Sequence, residues 1–236
     1  MRGLFVTGTD TGVGKTVAAA ALMLRYRDGS RRLRYWKPIQ TGVEHDDDTA
    51  TVRALIGRRT DPVDPAIASG VQHEDDGRVV DAGVRLAHAL SPHLSARRAG
   101  RPIDIEALLQ PLAGAVGSDR VIVEGAGGVL VPLNESAMMI DLMVRLALPA
   151  LIVARSGLGT INHTLLTVEA LRSRSLTVAG VLMVGPPNAE NGDAISTYGR
   201  VPIVGMLPWL DPLTPAALAA SALTLDTDGR LGAWLE

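Results

Sequence analysis

The sequence predicts a doubly wound α/β fold, in which a mostly parallel sheet carries helices on both faces. Three observations support it. Short apolar runs recur along the chain, several of them apolar at consecutive positions, as strands covered on both faces are. Longer stretches with apolar residues at helical spacing separate them. Glycines, hydroxyls and charges gather just after the apolar runs, and sheets of this kind bind ligands beyond the carboxyl ends of their strands.

In chain order, "GLFVTG" at 3–8 reads as the first strand and "GKTVAAAALMLRYR" at 14–27 as the helix that follows it. "LRYWKP" at 33–38 is the second strand, stopped by a proline that cannot continue a ladder. "EHDDDTATVRAL" at 44–55 puts three aspartates at a helix start, where carboxylates meet the positive end of the helix dipole and can cap it. Residues 61–101, with prolines and the acidic "HEDDGR", read as loop plus one helix. Helical stretches at 104–116, 138–148 and 161–174 then alternate with strands "RVIVEG" (120–125), "ALIVAR" (150–155), "VAGVLMVG" (178–185) and "VPIVGMLP" (201–208). No internal repeat, low-complexity tract or linker interrupts the pattern, so residues 1–236 are expected to form one domain.

Composition narrows the function. A net charge of −2 gives no broad basic face for nucleic acid or an anionic membrane, and the local run "RDGSRRLR" reads as solvated surface. The chain has no cysteine, which excludes disulfides, thiolate metal sites and cysteine nucleophiles. No leader pattern opens the sequence, and no apolar run approaches the roughly 18–20 residues that span a bilayer. A cytoplasmic location is expected.

The most informative stretch is "LFVTGTDTGVGKT". A strand, a glycine-rich turn and a helix opening near Lys15 make a phosphate loop: turn amides point inward, the helix amino terminus adds positive potential, and Lys15 reaches the β and γ phosphates. The Thr16 hydroxyl then suits Mg²⁺. The architecture expected is that of a P-loop NTPase. Five residues, Thr9 to Val13, separate Gly8 from Gly14, one more than the usual pattern. Partitioning ATPases carry a signature lysine in the deviant form of this loop, and Asp10 stands in its place here.

Three further clusters converge on the same end of the sheet. "KPIQTG" offers a fixed cation, Lys37, and the Thr41 hydroxyl. Among Asp46, Asp47 and Asp48, capping accounts for two, and the third is available to Mg²⁺, which often takes one or two carboxylates besides phosphate oxygens. "RVIVEGAGG" delivers Glu124 at a buried strand end, where a carboxylate needs a cation, and then glycines that let a ligand approach the backbone.

With "SPHLSARRAGRPI", "GLGTINH" and "LPWL", these motifs in this order resemble the dethiobiotin synthetase family from Leu4 to about Leu210, and the longer loop spacing belongs to that family's pattern. The resemblance implies an ATP-dependent enzyme of biotin synthesis that carboxylates 7,8-diaminononanoate with CO₂ and closes the ureido ring. It implies that Thr11, Gly12, Val13, Gly14, Lys15, Thr16 and Val17 wrap the phosphates, that Thr16, Asp48 and Glu124 hold Mg²⁺, and that Thr11, Lys15 and Lys37 serve catalysis. Lys37, Thr41 and the Gly127 amide would meet the diamine. A homodimer is implied too, with Leu158, Gly159, Thr160 and Asn162 serving the neighbouring subunit's site. Asn162 could also cap the helix that begins there, and His93 and His163 receive no role.

One departure concerns the base. The family commonly has an asparagine after the fifth strand to read adenine, whereas this chain has Val184 and Gly185, so a relaxed preference among ATP, CTP and GTP is expected. Two rivals are weaker. A partitioning or regulatory ATPase is disfavoured by Asp10, and a cobyrinate-type amidotransferase would need a cysteine nucleophile that this chain lacks.

Overall fold

A computed structural model describes residues 2–27, 32–57, 78–116 and 119–236. Residues 28–31 of the basic run and 61–77 of the irregular segment lie outside the described residues. The main sheet has seven strands in the order β4-β2-β6-β1-β7-β8-β9. They are β1 (Arg2–Gly8), β2 (Leu33–Trp36), β4 (Val79–Val80), β6 (Arg120–Gly128), β7 (Ala150–Arg155), β8 (Val178–Val184) and β9 (Ile203–Leu207). Every neighbouring pair in it is parallel. A second, two-stranded sheet pairs β3 (Ile39–Thr41) with β5 (Val84–Leu86).

Apolar side chains on alternate faces of these strands build two cores, which is why β1 and β6 read as continuous apolar runs. Leu4, Val6, Tyr35, Ile122, Leu151 and Leu182 face one layer, formed with helix α1 (Lys15–Arg25), α2 (Asp48–Ile56), α8 (Pro215–Ala222) and the short α9 (Gly232–Leu235). Phe5, Trp36, Val121, Val123 and Ile152 face the other. That layer draws on α3 (Pro92–Arg98), α4 (Ile105–Val116), α5 (Met139–Leu146), α6 (Thr160–Ser173) and α7 (Ala189–Gly199). Among the described residues of the 61–101 segment there is one helix, α3, together with the strands β4 and β5, which the sequence pattern does not mark. The sequence pattern likewise does not mark β3, α7, α8 or α9.

The chain order reverses at β1: one side of it leads to β6, β2 and β4, the other to β7, β8 and β9. The crevice beyond its carboxyl end therefore opens between strands whose connections diverge, and it is there that the glycine-rich turn between β1 and α1 lies. Among the described residues no helix is long and apolar enough to cross a membrane.

Candidate active site

The loop between β1 and α1 closes on Gly14, which takes a left-handed φ of 95° as the helix N-cap. A side chain there would also strike Val184, whose Cγ1 lies 3.0 Å from where a Cβ would stand, so the loop needs glycine for both reasons. Lys15 folds back over the turn and its Nζ donates to the Asp10 carbonyl at 2.9 Å. Burial above all, and then the Lys37 cation, push the Lys15 ammonium down to about 8. Asp10 is engaged three ways: its Oδ1 accepts from the Thr11 amide at 2.7 Å, its Oδ2 pairs with Arg155 at 2.9 Å, and its carbonyl takes Lys15.

Beside the loop, β2 and β6 run parallel with Tyr35 opposite Ile122 and Trp36 opposite Val123. Tyr35 and Lys37 lie two residues apart, as do Ile122 and Glu124, so strand alternation turns all four to one face. Glu124 is wholly buried and fully partnered. Its Oε1 accepts from Lys37 Nζ at 2.6 Å and from Thr16 Oγ1 at 3.0 Å, and its Oε2 accepts from the Tyr35 hydroxyl at 2.8 Å. Asp48 completes the cluster: its Oδ1 lies 2.6 Å from Thr16 Oγ1, whose one hydrogen the two carboxylates share, and its Oδ2 lies 2.5 Å from Lys37 Nζ. Burial alone would depress the Lys37 ammonium, but Glu124 and Asp48 outweigh it and its pKa is raised. The same burial and carboxylate hold the Tyr35 phenol protonated, its pKa well above the ordinary value.

The three aspartates have separate fates, Asp46 accepting from Gln40 Nε2 through its backbone carbonyl at 3.0 Å. Asp47 is the N-cap of α2, accepting from the Ala50 amide at 3.1 Å and pairing with Arg85 at 2.5 Å, whereas Asp48 turns into the cluster. Thr16, Asp48 and Glu124 thus present oxygens to a common volume. In an octahedral shell with bonds of about 2.0–2.1 Å, adjacent oxygens stand roughly 2.9 Å apart, close to the 2.6 and 3.0 Å that separate Thr16 Oγ1 from the two carboxylates. The donor set, two carboxylates and a hydroxyl, fits Mg²⁺. It contains no histidine or thiolate, and among the described residues no group of three or more His, Cys, Asp or Glu could hold a metal.

The remaining candidate residues fall into two groups. Gly127, at φ 68°, lies against the loop: a Cβ on it would stand 3.6 Å from Thr11 Oγ1. Thr41 ends β3, half-buried, on the Lys37 side of the crevice. Leu158, Gly159, Thr160 and Asn162 stand apart at the turn from β7 into α6, which the Arg155 pair ties back to Asp10. Leu158 and Asn162 are exposed, but Thr160 is buried with its hydroxyl donated to the Arg155 carbonyl. The N-cap of α6 is Gly159, with φ 90° and no side-chain cap bond, so Asn162 sits inside the first turn and does not cap the helix. Between the loop and α6 runs a groove of about 370 Å³ lined by Thr9, Asp10, Thr11, Leu130, His163 and Leu166 among others.

Sequence reasoning missed Tyr35, Arg155 and the work of Asp10. Tyr35 carried a usable signal, since a residue two before Lys37 on one strand must share its face. The Arg155 to Asp10 contact spans 145 positions and carried none.

Comparison with known proteins gives these features a context. A family model described as an AAA domain matches residues 2–217. The "ATP-dependent dethiobiotin synthetase BioD" of Paramagnetospirillum magneticum is 45% identical over 220 residues, 93% of this chain and 94% of that one. The protein of the same name from Bradyrhizobium diazoefficiens is 42% identical, covering 92% of each. Among solved structures, a ParA family ATPase from Chlorobium tepidum superposes with a TM-score of 0.60 over 98% of both chains at 13% identity, a likeness of fold alone.

Proposed function

The chain belongs to the family of ATP-dependent dethiobiotin synthetases, which are ligases, and from that premise we propose which of its residues carry each part of the reaction. One amine of 7,8-diaminononanoate takes up CO₂ as a carbamate. The γ-phosphoryl group of ATP converts the carbamate to a mixed anhydride, and the second amine displaces phosphate to close the ureido ring. Dethiobiotin, ADP and phosphate leave.

The observation that carries the assignment is the convergence of Lys15, Thr16, Lys37, Asp48 and Glu124 at the end of β1 in a chain 45% identical to a named dethiobiotin synthetase. Amides from Thr11 to Val17 would cradle the phosphates. Lys15 and Lys37 would stabilise the charge on the phosphoryl group and the carbamate in flight, mainly by being fixed beforehand. Glu124, buried and held by three donors, keeps Lys37 charged and in place. Thr16, Asp48 and Glu124 would hold Mg²⁺, which would supply positive charge against the phosphates. Thr41 and the Gly127 amide would orient the diamine end, and Thr11 would serve catalysis beside the phosphates.

The groove beside Thr11 supports a substrate path towards α6. Leu130 and Leu166 on its walls are each 57% exposed, and Leu158 beyond it is fully so. Apolar side chains left open at the rim of a polar site support a second copy covering them, with Leu158, Gly159 and Asn162 of one subunit closing the other's substrate site. The buried Thr160 would serve that turn by holding it to Arg155. A single domain over residues 1–236 and a cytoplasmic enzyme complete the reading.

The experiment is dethiobiotin formation by the purified chain. Product is expected only when diaminononanoate, bicarbonate, ATP and Mg²⁺ are all present. ATP turnover that ignores the diamine but responds to DNA or lipid vesicles would overturn the proposal.

A further inference from the structure

We propose that Tyr35 is a positioning residue for this reaction: its hydroxyl holds Glu124 Oε2 and thereby fixes Oε1 towards Thr16 and Lys37. The proposal rests on the reading of Glu124 as a metal-holding carboxylate. A glutamate side chain has three rotatable bonds, so burial on β6 does not by itself decide how its carboxylate is turned towards the phosphates. Here the choice is made by the phenol. Oε2 receives the Tyr35 hydroxyl at 2.8 Å, and Oε1 alone is left for Lys37 at 2.6 Å and Thr16 at 3.0 Å.

The phenol is itself fixed. Tyr35 has no exposed surface and is wedged in the core with Leu4, Val6 and Ile122, opposite Ile122 in the ladder. Its ring cannot follow Glu124 if the carboxylate turns, so the hydrogen bond selects one carboxylate orientation rather than accompanying any. Partners of metal-holding carboxylates act in this way, and their removal typically costs about 10–100-fold in metal affinity.

The test uses the whole chain with ADP, reading Mn²⁺ affinity by electron paramagnetic resonance in place of turnover. Tyr35→Phe keeps the ring and removes the donor, and it is expected to weaken Mn²⁺ binding about 10-fold or more. Tyr35→Met, a second variant without the hydroxyl, is expected to do the same should the first not accumulate as folded protein. A cycle with Glu124→Gln separates positioning from packing. If Tyr35 acts through Glu124, Tyr35→Phe adds little in the Glu124→Gln background, whereas a packing effect would add in full. Unchanged Mn²⁺ affinity in folded Tyr35→Phe, with Asp48→Asn and Glu124→Gln both weakened, overturns the positioning role and leaves the metal assignment standing. Wild-type affinity in Asp48→Asn and Glu124→Gln overturns the metal assignment, and the proposal with it.

Discussion

Adjacent aspartates at the start of α2 should respond to substitution in opposite ways. Asp47 caps the helix through the Ala50 amide and pairs with Arg85 across a half-exposed contact. Losing an N-cap costs roughly 1 kcal/mol, and an exposed pair adds about 0–1 kcal/mol more. Asp47→Ala should therefore destabilise by about 1–2 kcal/mol, or roughly 2–8 °C in Tm for a chain of this length. Its Mg²⁺ requirement should not move. Asp48→Asn keeps the volume and one acceptor oxygen for Thr16 but removes the charge that faces Lys37 at 2.5 Å. Loss of a ligand is no milder than loss of a ligand's partner, so the Mg²⁺ concentration for half-maximal dethiobiotin formation should rise by at least about 10-fold. Magnesium titrations of product formation and thermal melts on both variants decide the matter. If Asp47→Ala raises the magnesium requirement as far as Asp48→Asn does, the division of labour between cap and ligand is wrong.

Lys37→Met should lose on the order of 10² or more in kcat, comparable to removal of one oxyanion donor; normal turnover by the folded variant would show that Lys37 does not meet the reacting groups. Tyr26 donates its hydroxyl to buried Asp226, joining α1 to the carboxyl-terminal segment. Tyr26→Phe should cost about 1.5–3 kcal/mol by denaturant unfolding, and an unchanged midpoint would mean the carboxylate finds another donor. The Val184 side chain is packed on Gly14 and has no polar atom, and a Cβ on Gly185 would point at Ser156 and Trp209. An asparagine amide's bidentate match to adenine, worth ~1–3 kcal/mol, is absent, so CTP and GTP should support the reaction with kcat/KM within about 30-fold of ATP. A preference for ATP above roughly 100-fold would mean that other groups read the base.

What the sequence revealed of the fold depended on burial. Strands covered on both faces, such as Leu4–Val6 and Val121–Val123, are apolar at every position and announce themselves. Helix α7 buries only Gly192, Ile195 and Gly199, two of them without side chains, so no apolar stripe marks it. In α8, "PAALAASA" is apolar on every side and shows no period. β3 and β5 are three-residue strands that, among the described residues, pair only with each other, β5 carrying the exposed Arg85, and their pairing depends on chain brought together from 45 residues apart. The site divides likewise. Lys15 and Thr16 open α1, Lys37 directly follows β2 and Glu124 lies within β6, and in each place their chemistry is unusual against an apolar background. The partnership of Tyr35 with Glu124 depends on the register of β2 against β6, which a single chain of letters does not print.

Asp10 shows why a shared fold with a ParA family ATPase settles so little about chemistry. A lysine at position 10 would keep the backbone carbonyl that receives Lys15, but it could not accept the Thr11 amide or pair with Arg155. It would also bring another cation to a loop where burial and Lys37 already push the Lys15 ammonium down to about 8. The aspartate does the opposite: it supplies a negative charge near Lys15, favouring that ammonium, and ties the loop to the end of β7. From Arg155 the chain runs directly into Ser156 and the turn before α6, which a second hydrogen bond, Asn191 Nδ2 to the Ser156 carbonyl at 2.9 Å, fastens to α7. One carboxylate thus links the loop that would hold ATP to the turn proposed to meet the neighbouring subunit's substrate, a connection that a lysine in its place would break.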